Sequence, residues 1–412
     1  MKINLNTEYL KTDEEILQKH QSRALEIIDE LWLDKEAYTG WVHYASKLPD
    51  ESISEIEKTA DEVSKLCDTL VVIGIGGSYL GSAAILEALG GARKGRPDLF
   101  FAGTNLSGNA QSRILERLSD EDRDFAICVV SKSGTTMESM IGFSLFKDAL
   151  IRKYGEKASS RIIAITDPAK GLLREEAKRE GYRSFEIPSN IGGRYSAYTP
   201  AIIFPLAVAG VDIRRFIEGA RSISDLDYWK NEGLRYALSR FAMLESGKAL
   251  EVYEYFDPSL RLFGEWMKQL FAESEGKDGK GLFPVTLTLS TDLHSIGQYL
   301  QEGKPMFFET FFDVKEWPAD VTIPESIGNN LGGMSLNAVN KTALEGVVAA
   351  HSKAGTPILK LEIAKIDEYT LGQLTYYCMM TAAITGKLMG VDPFNQPGVE
   401  QYKKEIRERL DI

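Results

Sequence analysis

The segment Ser131-Lys132-Ser133-Gly134-Thr135-Thr136-Met137-Glu138 concentrates polar donors where a chain could hold an anion. It follows the apolar run Phe125–Val130 directly and opens a helical stretch. A phosphate needs converging donors, and this segment offers four hydroxyls, a lysine, a flexible glycine and the free amides of a helix N-terminus. The spacing is not GxxxxGK[ST], so a nucleoside triphosphate is not implied, whereas a single phosphomonoester fits. A Ser/Thr-rich helix cap is the other reading. A second turn, Gly74-Ile75-Gly76-Gly77-Ser78-Tyr79-Leu80-Gly81, follows Val71-Val72-Ile73. A dinucleotide site fails there, because Tyr79 takes the place of the third glycine and the next strand ends in Gly103-Thr104-Asn105 without the ribose-binding acid. What remains is a backbone able to approach a polar ligand, with the Ser78 hydroxyl at the helix start, or a simple packing turn.

Groups able to move protons lie further on. Phe263 to Gly276 reads as a helix with Phe263, Trp266, Met267 and Leu270 as its apolar stripe. Gln269 and Glu273, one turn apart, share a face. Glu273 lies in the last turn, where the macrodipole disfavours negative charge and so favours a carboxylate that accepts a proton. On spacing alone, a solvated helix-end charge is the commoner reading. Of the four histidines, His20, His43 and His351 have no distinctive neighbours. His294 follows the strand-like Val285–Leu289, which predicts a place in the first turn of a helix and a neutral imidazole able to exchange a proton. No second histidine or cysteine stands at ligand spacing beside it, which argues against a metal. Near the C-terminus, the segment Pro393–Lys403 has a proline placed for a helix start, and Gln396 and Lys403, seven apart, would fall on about one face, although on spacing alone a solvent-exposed lysine is the commoner reading.

These residues need elements to position them. Short apolar runs ending in Gly, Ser, Thr or Asp alternate with helical stretches: Leu70–Ile75, Leu99–Ala102, Phe125–Val130, Arg161–Thr166 and Ser184–Ile187. A second set comprises Glu251–Tyr255, Val285–Leu289, Met306–Phe312 and Ile358–Ile363. Such alternation predicts α/β architecture: two subdomains, each a parallel sheet with helices on both faces, with ligands at the strand C-termini and a cleft between subdomains as the natural substrate site. The first stretch reads as amphipathic helices carrying Ile16, Leu25, Ile28 and Leu31, and Tyr198–Arg215 and Trp229–Leu244 read as helical. The expected division is a helical segment at 1–65, a first subdomain at 66–195, connecting helices at 196–245, a second subdomain at 246–390 and a terminal helix at 391–412.

Composition sets the class. With 412 residues, 43% hydrophobic and 26% charged, the chain has ample material for a buried core. A formal net charge of −12 argues against nucleic acid or an anionic membrane as partner, without excluding a small phosphate. The three cysteines, Cys67, Cys128 and Cys378, are far apart and suggest neither a disulfide framework nor a metal site, which fits a reducing cytosol. Met1–Asn6 is too polar for a signal peptide, and the longest apolar run, Ala201–Val211, falls well short of the roughly twenty residues needed to span a bilayer. The expectation is a cytoplasmic protein.

Taken together, the segments Gly74–Ser78, Ser131–Thr136, Gly192-Gly193-Arg194-Tyr195-Ser196, Glu273-Ser274-Glu275-Gly276-Lys277 and Pro393–Lys403 resemble the phosphoglucose isomerase family, built from two sugar-isomerase (SIS) domains. The resemblance runs from about Val71 to Lys403 with the motifs in family order. It implies reversible aldose–ketose isomerisation of glucose 6-phosphate and fructose 6-phosphate, a step of glycolysis and gluconeogenesis. It further implies that Ser78, Ser131, Lys132, Ser133 and Thr136 hold the sugar phosphate, and that Glu273 shuttles the proton between C1 and C2. Arg194, with the Gly193 backbone beside it, would stabilise the cis-enediol(ate). His294 and Lys403 would open the ring, and Gln269 and Gln396 would position the sugar. The family implies a homodimer with His294 contributed across the interface, and no metal or organic cofactor. Only nine residues follow Lys403, where the resemblance leads one to expect a longer extension. Alternatives are an SIS isomerase for another sugar phosphate, and a non-catalytic sugar-phosphate sensor. The sensor would need the hydroxyl loop but not Glu273, Arg194, His294 and Lys403 together.

Overall fold

The computed structural model describes residues 3–11 and 14–411, with the side chains of Glu14 and Ile16 outside that description. The described chain divides into two compact units, one formed by residues 34–224 and the other by the flanking residues up to 33 and from 225 onward. The observed boundaries therefore cut both the expected 1–65 segment and the expected 196–245 connection.

The 34–224 unit is built on five parallel strands: β2 (Thr69–Ile73), β3 (Asp98–Ala102), β4 (Phe125–Val130), β5 (Ile162–Thr166) and β6 (Arg183–Glu186). All residues of β2, β4 and β5 are buried, as unbroken apolar runs require when helices cover both faces of a sheet. Phe143, Phe146 and Leu150 of the helix Met137–Tyr154 pack on Val71, Ile127 and Val129. The strand order is β3-β2-β4-β5-β6, so the chain reverses direction across the sheet between β2 and β4. Open α/β sheets bind ligands beyond the strand C-termini at such a reversal. Both candidate loops, Gly74–Ser78 after β2 and Ser131–Thr136 after β4, lie there.

The other unit repeats this winding. Strands β7 (Leu250–Tyr255), β8 (Phe283–Thr288), β9 (Phe307–Glu316) and β10 (Ile358–Lys365) are parallel, in the order β10-β9-β7-β8. The fifth place is taken by β1 (Ile3–Asn6), antiparallel to β10, with Ile3 opposite Ile363. This corrects the expectation of helices alone in the N-terminal segment: four residues are too few to show a period, and only the distant β10 gives them a partner. The helix Glu14–Trp32 follows, with Ala24, Ile27, Ile28 and Leu31 fully buried and Leu25 half-buried. The Ile16 contribution to that stripe lies outside the described residues. The helix Glu368–Leu388 is buried over nearly its whole length.

Candidate active site

In the 34–224 unit, the chain turns sharply out of β4. The Ser131 hydroxyl accepts a hydrogen bond from the Gly134 amide (3.1 Å), and Ser133 Oγ accepts from the Thr135 amide (3.2 Å) and hydroxyl (2.9 Å). Gly134 adopts φ +67°, and a Cβ there would stand 2.4 Å from the Leu173 amide nitrogen, so only glycine fits. Thr136 is the N-cap of the helix Met137–Tyr154, but its side chain makes no capping bond. That helix start presents free amides beside the Ser133 and Thr136 hydroxyls, the donor set an anion requires.

Lys132 is placed differently from the expectation that it holds phosphate. Its ammonium donates to the carbonyls of Ser189 (2.7 Å) and Ile191 (2.9 Å) and faces the Tyr38 ring at 5.1 Å. Half-burial lowers its pKa. The geometry is that of a strut fixing the 189–191 segment, which leads into Gly192–Ser196. Sequence reasoning missed this, because a carbonyl acceptor leaves no mark on residue type.

The glycine turn after β2 receives that segment. A Cβ on Gly77 would lie 2.1 Å from the Gly193 carbonyl oxygen and 2.8 Å from the Arg194 nitrogen. A Cβ on Gly74 would meet Ser78 Cβ at 2.8 Å and the Val130 carbonyl oxygen at 3.2 Å. Backbone contact thus brings Ser78, Gly193 and Arg194 together at the C-terminal ends of β2 and β4. The buried Ser196 hydroxyl, absent from the expected site, lies 2.7 Å from the Gly193 carbonyl and 3.2 Å from that of Gly77. Arg194 is 4% exposed and leads into Tyr195, which stacks on Trp41 at 4.7 Å.

In the other unit, Glu273 occupies the last turn of the helix Arg261–Glu275, half-buried. Gln269 Nε2 donates to Glu273 Oε1 at 3.2 Å, as the shared face predicts, while Gln269 Oε1 is buried with no partner among the described residues. Phe263, Trp266, Met267 and Leu270 bury the adjoining stripe. Two residues beyond the candidate base, Glu275 ties the helix end to Arg240. Arg240 Nη2 donates to Glu275 Oε2 (3.0 Å), Nη1 donates to Oε1, and Nε donates to Glu251 Oε2 (2.6 Å). Glu251 also accepts from the hydroxyls of Tyr236 (2.7 Å), Tyr253 (2.9 Å) and Thr310 (2.8 Å). Burial outweighs the pull of Arg240, whose charge is shared with Glu251, and pushes the Glu275 carboxyl up to about 7. The sequence carried a trace of this network: an acid inside the apolar run of β7 must find a partner when buried.

The segment leading to Gln396 packs against the same helix end. Lys277 donates to the Ser274 carbonyl (3.1 Å) and to that of Asp392, and Lys280 donates to the Met389 carbonyl (2.9 Å). Gln396 itself precedes the helix Gly398–Leu410, so helical spacing does not relate it to Lys403. Lys403 Nζ donates to Glu400 Oε1 at 2.9 Å within that exposed helix. His294 also departs from expectation. It ends a short 3₁₀ turn, Thr291–His294, rather than starting a helix, and it is exposed beyond the edge strand β8. Asp292 braces the turn by accepting from the Thr288 amide at 2.7 Å. No described helix is long and apolar enough to cross a membrane.

Residues 53–309 match the model of the family described as phosphoglucose isomerase. The chain belongs to the phosphoglucose isomerase family. It is 43% identical over 407 residues to a Leptospira interrogans protein named glucose-6-phosphate isomerase, covering 95% of this chain and 91% of that one. Among solved structures, a hypothetical protein from Thermus thermophilus superposes with TM-score 0.89 at 28% identity, over 99% of both chains. A glucose-6-phosphate isomerase from Chlamydia trachomatis shares the fold, with TM-score 0.83 at 19% identity, over 100% of this chain and 88% of that one. All five motif segments thus stand in a chain of this family, and the matched region includes every strand from β2 to β8 and the start of β9.

Proposed function

We propose that this chain interconverts glucose 6-phosphate and fructose 6-phosphate, with Glu273 moving the proton. The observation that carries the reading is the half-buried Glu273 carboxylate, oriented by Gln269, in a member of this family. The Ser78, Ser131, Ser133 and Thr136 hydroxyls, with the amides opening Met137–Tyr154, hold the phosphate, while Lys132 shapes that loop. On the open-chain aldose, Glu273 removes the proton from C2 and returns it to C1 as the hydroxyl proton passes from O2 to O1. The negative charge of the cis-enediol(ate) meets the fixed positive charge of Arg194. Gln269 Oε1, buried and without a partner among the described residues, has the chemistry to accept a sugar hydroxyl. Ring opening falls to His294 and Lys403, with Gln396 positioning the sugar.

The working form in this reading is a cytoplasmic homodimer in which His294 serves the partner's site. His294 is exposed on its own chain, and so are Val321, Ile327, Leu331 and Leu336 in the segment following β9, an apolar surface that a second copy would bury. A coupled isomerase assay with chelator present tests the reaction. Wild type should be active and unaffected, and Glu273→Gln should lose on the order of 10²–10⁴ in kcat; near-normal turnover of that variant sinks the mechanism. Mixing inactive Glu273→Gln with His294→Ala subunits tests the shared site. Random exchange should return roughly a quarter of wild-type activity, since half the dimers then carry one intact site; no recovery after verified exchange places His294 on its own chain's site.

A further inference from the structure

Within the apolar core of the unit formed by β1 and β7–β10 lies a polar group that the proposed reaction does not use. Glu254 of β7, Glu309 of β9 and His351 of the helix Leu336–Ala354 converge there, with one ligand-capable atom of each within 4.8 Å of the others. The strand register explains the meeting of the two acids. Glu254 pairs with Phe311 and Glu309 with Val252, so the acids are diagonal neighbours on one face of adjacent parallel strands. Their surroundings are Val252, Phe256, Phe307, Phe311, Leu344 and Val348. Glu254 and Glu309 are 0% exposed and His351 is 4% exposed.

The hydrogen bonding is lopsided. His351 Nδ1 lies 2.9 and 3.1 Å from the two Glu309 oxygens. Both oxygens of Glu254 are buried and have no hydrogen-bond partner among the described residues. A buried carboxylate without a donor is among the costliest groups a core can hold, and such acids are paired, protonated or bound to a metal. Burial, and then the neighbouring Glu309, holds the Glu254 carboxyl far above the usual range in the bare cluster. A proton neutralises it but leaves at least one oxygen unmatched. A divalent cation neutralises both carboxylates at once and gives all three side chains a partner. One imidazole nitrogen with two carboxylates is a donor set suited to a first-row divalent ion.

We propose that Glu254, Glu309 and His351 hold a divalent first-row cation, with Zn²⁺ as the best-matched ion, which ties the helix Leu336–Ala354 to the β7–β9 sheet. The site is structural and closed to solvent, so brief treatment of the folded protein with chelator leaves it filled. The full chain should be unfolded in guanidinium with chelator, then refolded either in chelator or with Zn²⁺, desalted, analysed for metal and melted. Wild type refolded with Zn²⁺ should retain about one ion per chain and melt several degrees above the chelator-refolded sample. Glu254→Gln and His351→Gln should each lose both the retained ion and the Zn²⁺-dependent rise. The proposal is overturned if wild type retains no ion, or if both variants retain as much as wild type. A wild type that retains the ion but melts no higher than the chelator-refolded sample also overturns it, because the cation then does not tie the helix to the sheet. Metal content and melting are read without any isomerase assay, so failure of the proposed reaction leaves this result unaffected.

Discussion

Replacing Arg240 with methionine should weaken the fold and the candidate base together. Arg240 is fully buried, its guanidinium carbon lies 4.0 Å from the Phe271 ring centroid, and it supplies hydrogen bonds to both Glu251 and Glu275. Methionine fills much of the same volume, so the loss is mainly electrostatic. Glu251 keeps three hydroxyl donors after the change, whereas Glu275 loses its bidentate partner. Breaking a buried pair in this way costs roughly 3–5 kcal/mol. Replacing Glu275 by Gln in the same protein should return about 1–3 kcal/mol, because no buried carboxyl then has to be neutralised. Urea unfolding of wild type, Arg240→Met and Arg240→Met/Glu275→Gln at pH 8, where without Arg240 the Glu275 carboxyl must take up a proton to stay buried, measures both terms. The helix end also carries Glu273 two residues before Glu275, so kcat of the single variant should fall on the order of tenfold through misplacement. A single variant within about 0.5 kcal/mol of wild type, a difference typical of ordinary surface substitutions, would refute the countercharge argument.

Glu275 also predicts a pH dependence. Its folded pKa of about 7 exceeds the ordinary glutamate value of 4.5, so the folded chain binds that proton more tightly than the unfolded chain. The resulting stability is complete below about 4.5 and is lost as pH rises through about 7, a change of about 3 kcal/mol. Unfolding of wild type and Glu275→Gln at pH 5 and pH 8 should therefore show the wild-type advantage shrinking at the higher pH; a constant difference excludes the shift. Gly77→Ala sets a methyl group 2.1 Å from the Gly193 carbonyl oxygen. Overpacking of this kind costs about 1–3 kcal/mol and displaces Arg194, so both melting temperature and kcat should drop; unchanged kcat would detach the turn from Arg194. Lys132→Met removes two charge-assisted bonds to carbonyls and should cost about 2 kcal/mol. KM should rise less than tenfold if Lys132 shapes the loop, and a much larger rise would return it to the phosphate.

Elements held together by local rhythm were legible in the sequence. Apolar runs between glycine-rich turns marked all nine parallel strands within a few residues, and Gln269 and Glu273 share a face because one helical turn separates them. What escaped depends on partners remote in sequence. The strand β1 has meaning only beside β10. Lys132 is defined by two carbonyls, and the role of Glu275 by an arginine on another helix. His351, unremarkable among its chain neighbours, stands beside Glu309 only because a helix packs on a sheet. The spacing after β8 predicts a helix start for His294, but the chain there closes into a 3₁₀ turn braced by the side chain of Asp292.

The pairing of β1 with β10 also has a temporal side. On the ribosome Ile3 is made well over three hundred residues before its partner Ile363, which is added last among the strand residues opposite β1. At roughly 5–20 residues per second the first strand waits tens of seconds for a mate. The 34–224 unit, uninterrupted in sequence, has all of its strands in hand well before then. The nascent chain therefore matures from the inside outward: the hydroxyl loop and Arg194 are shaped while the sheet beneath Glu273 is still incomplete. Chains aborted before β10 should carry an orderly middle and an unsealed sheet edge, the kind of intermediate that chaperones retain and proteases clear.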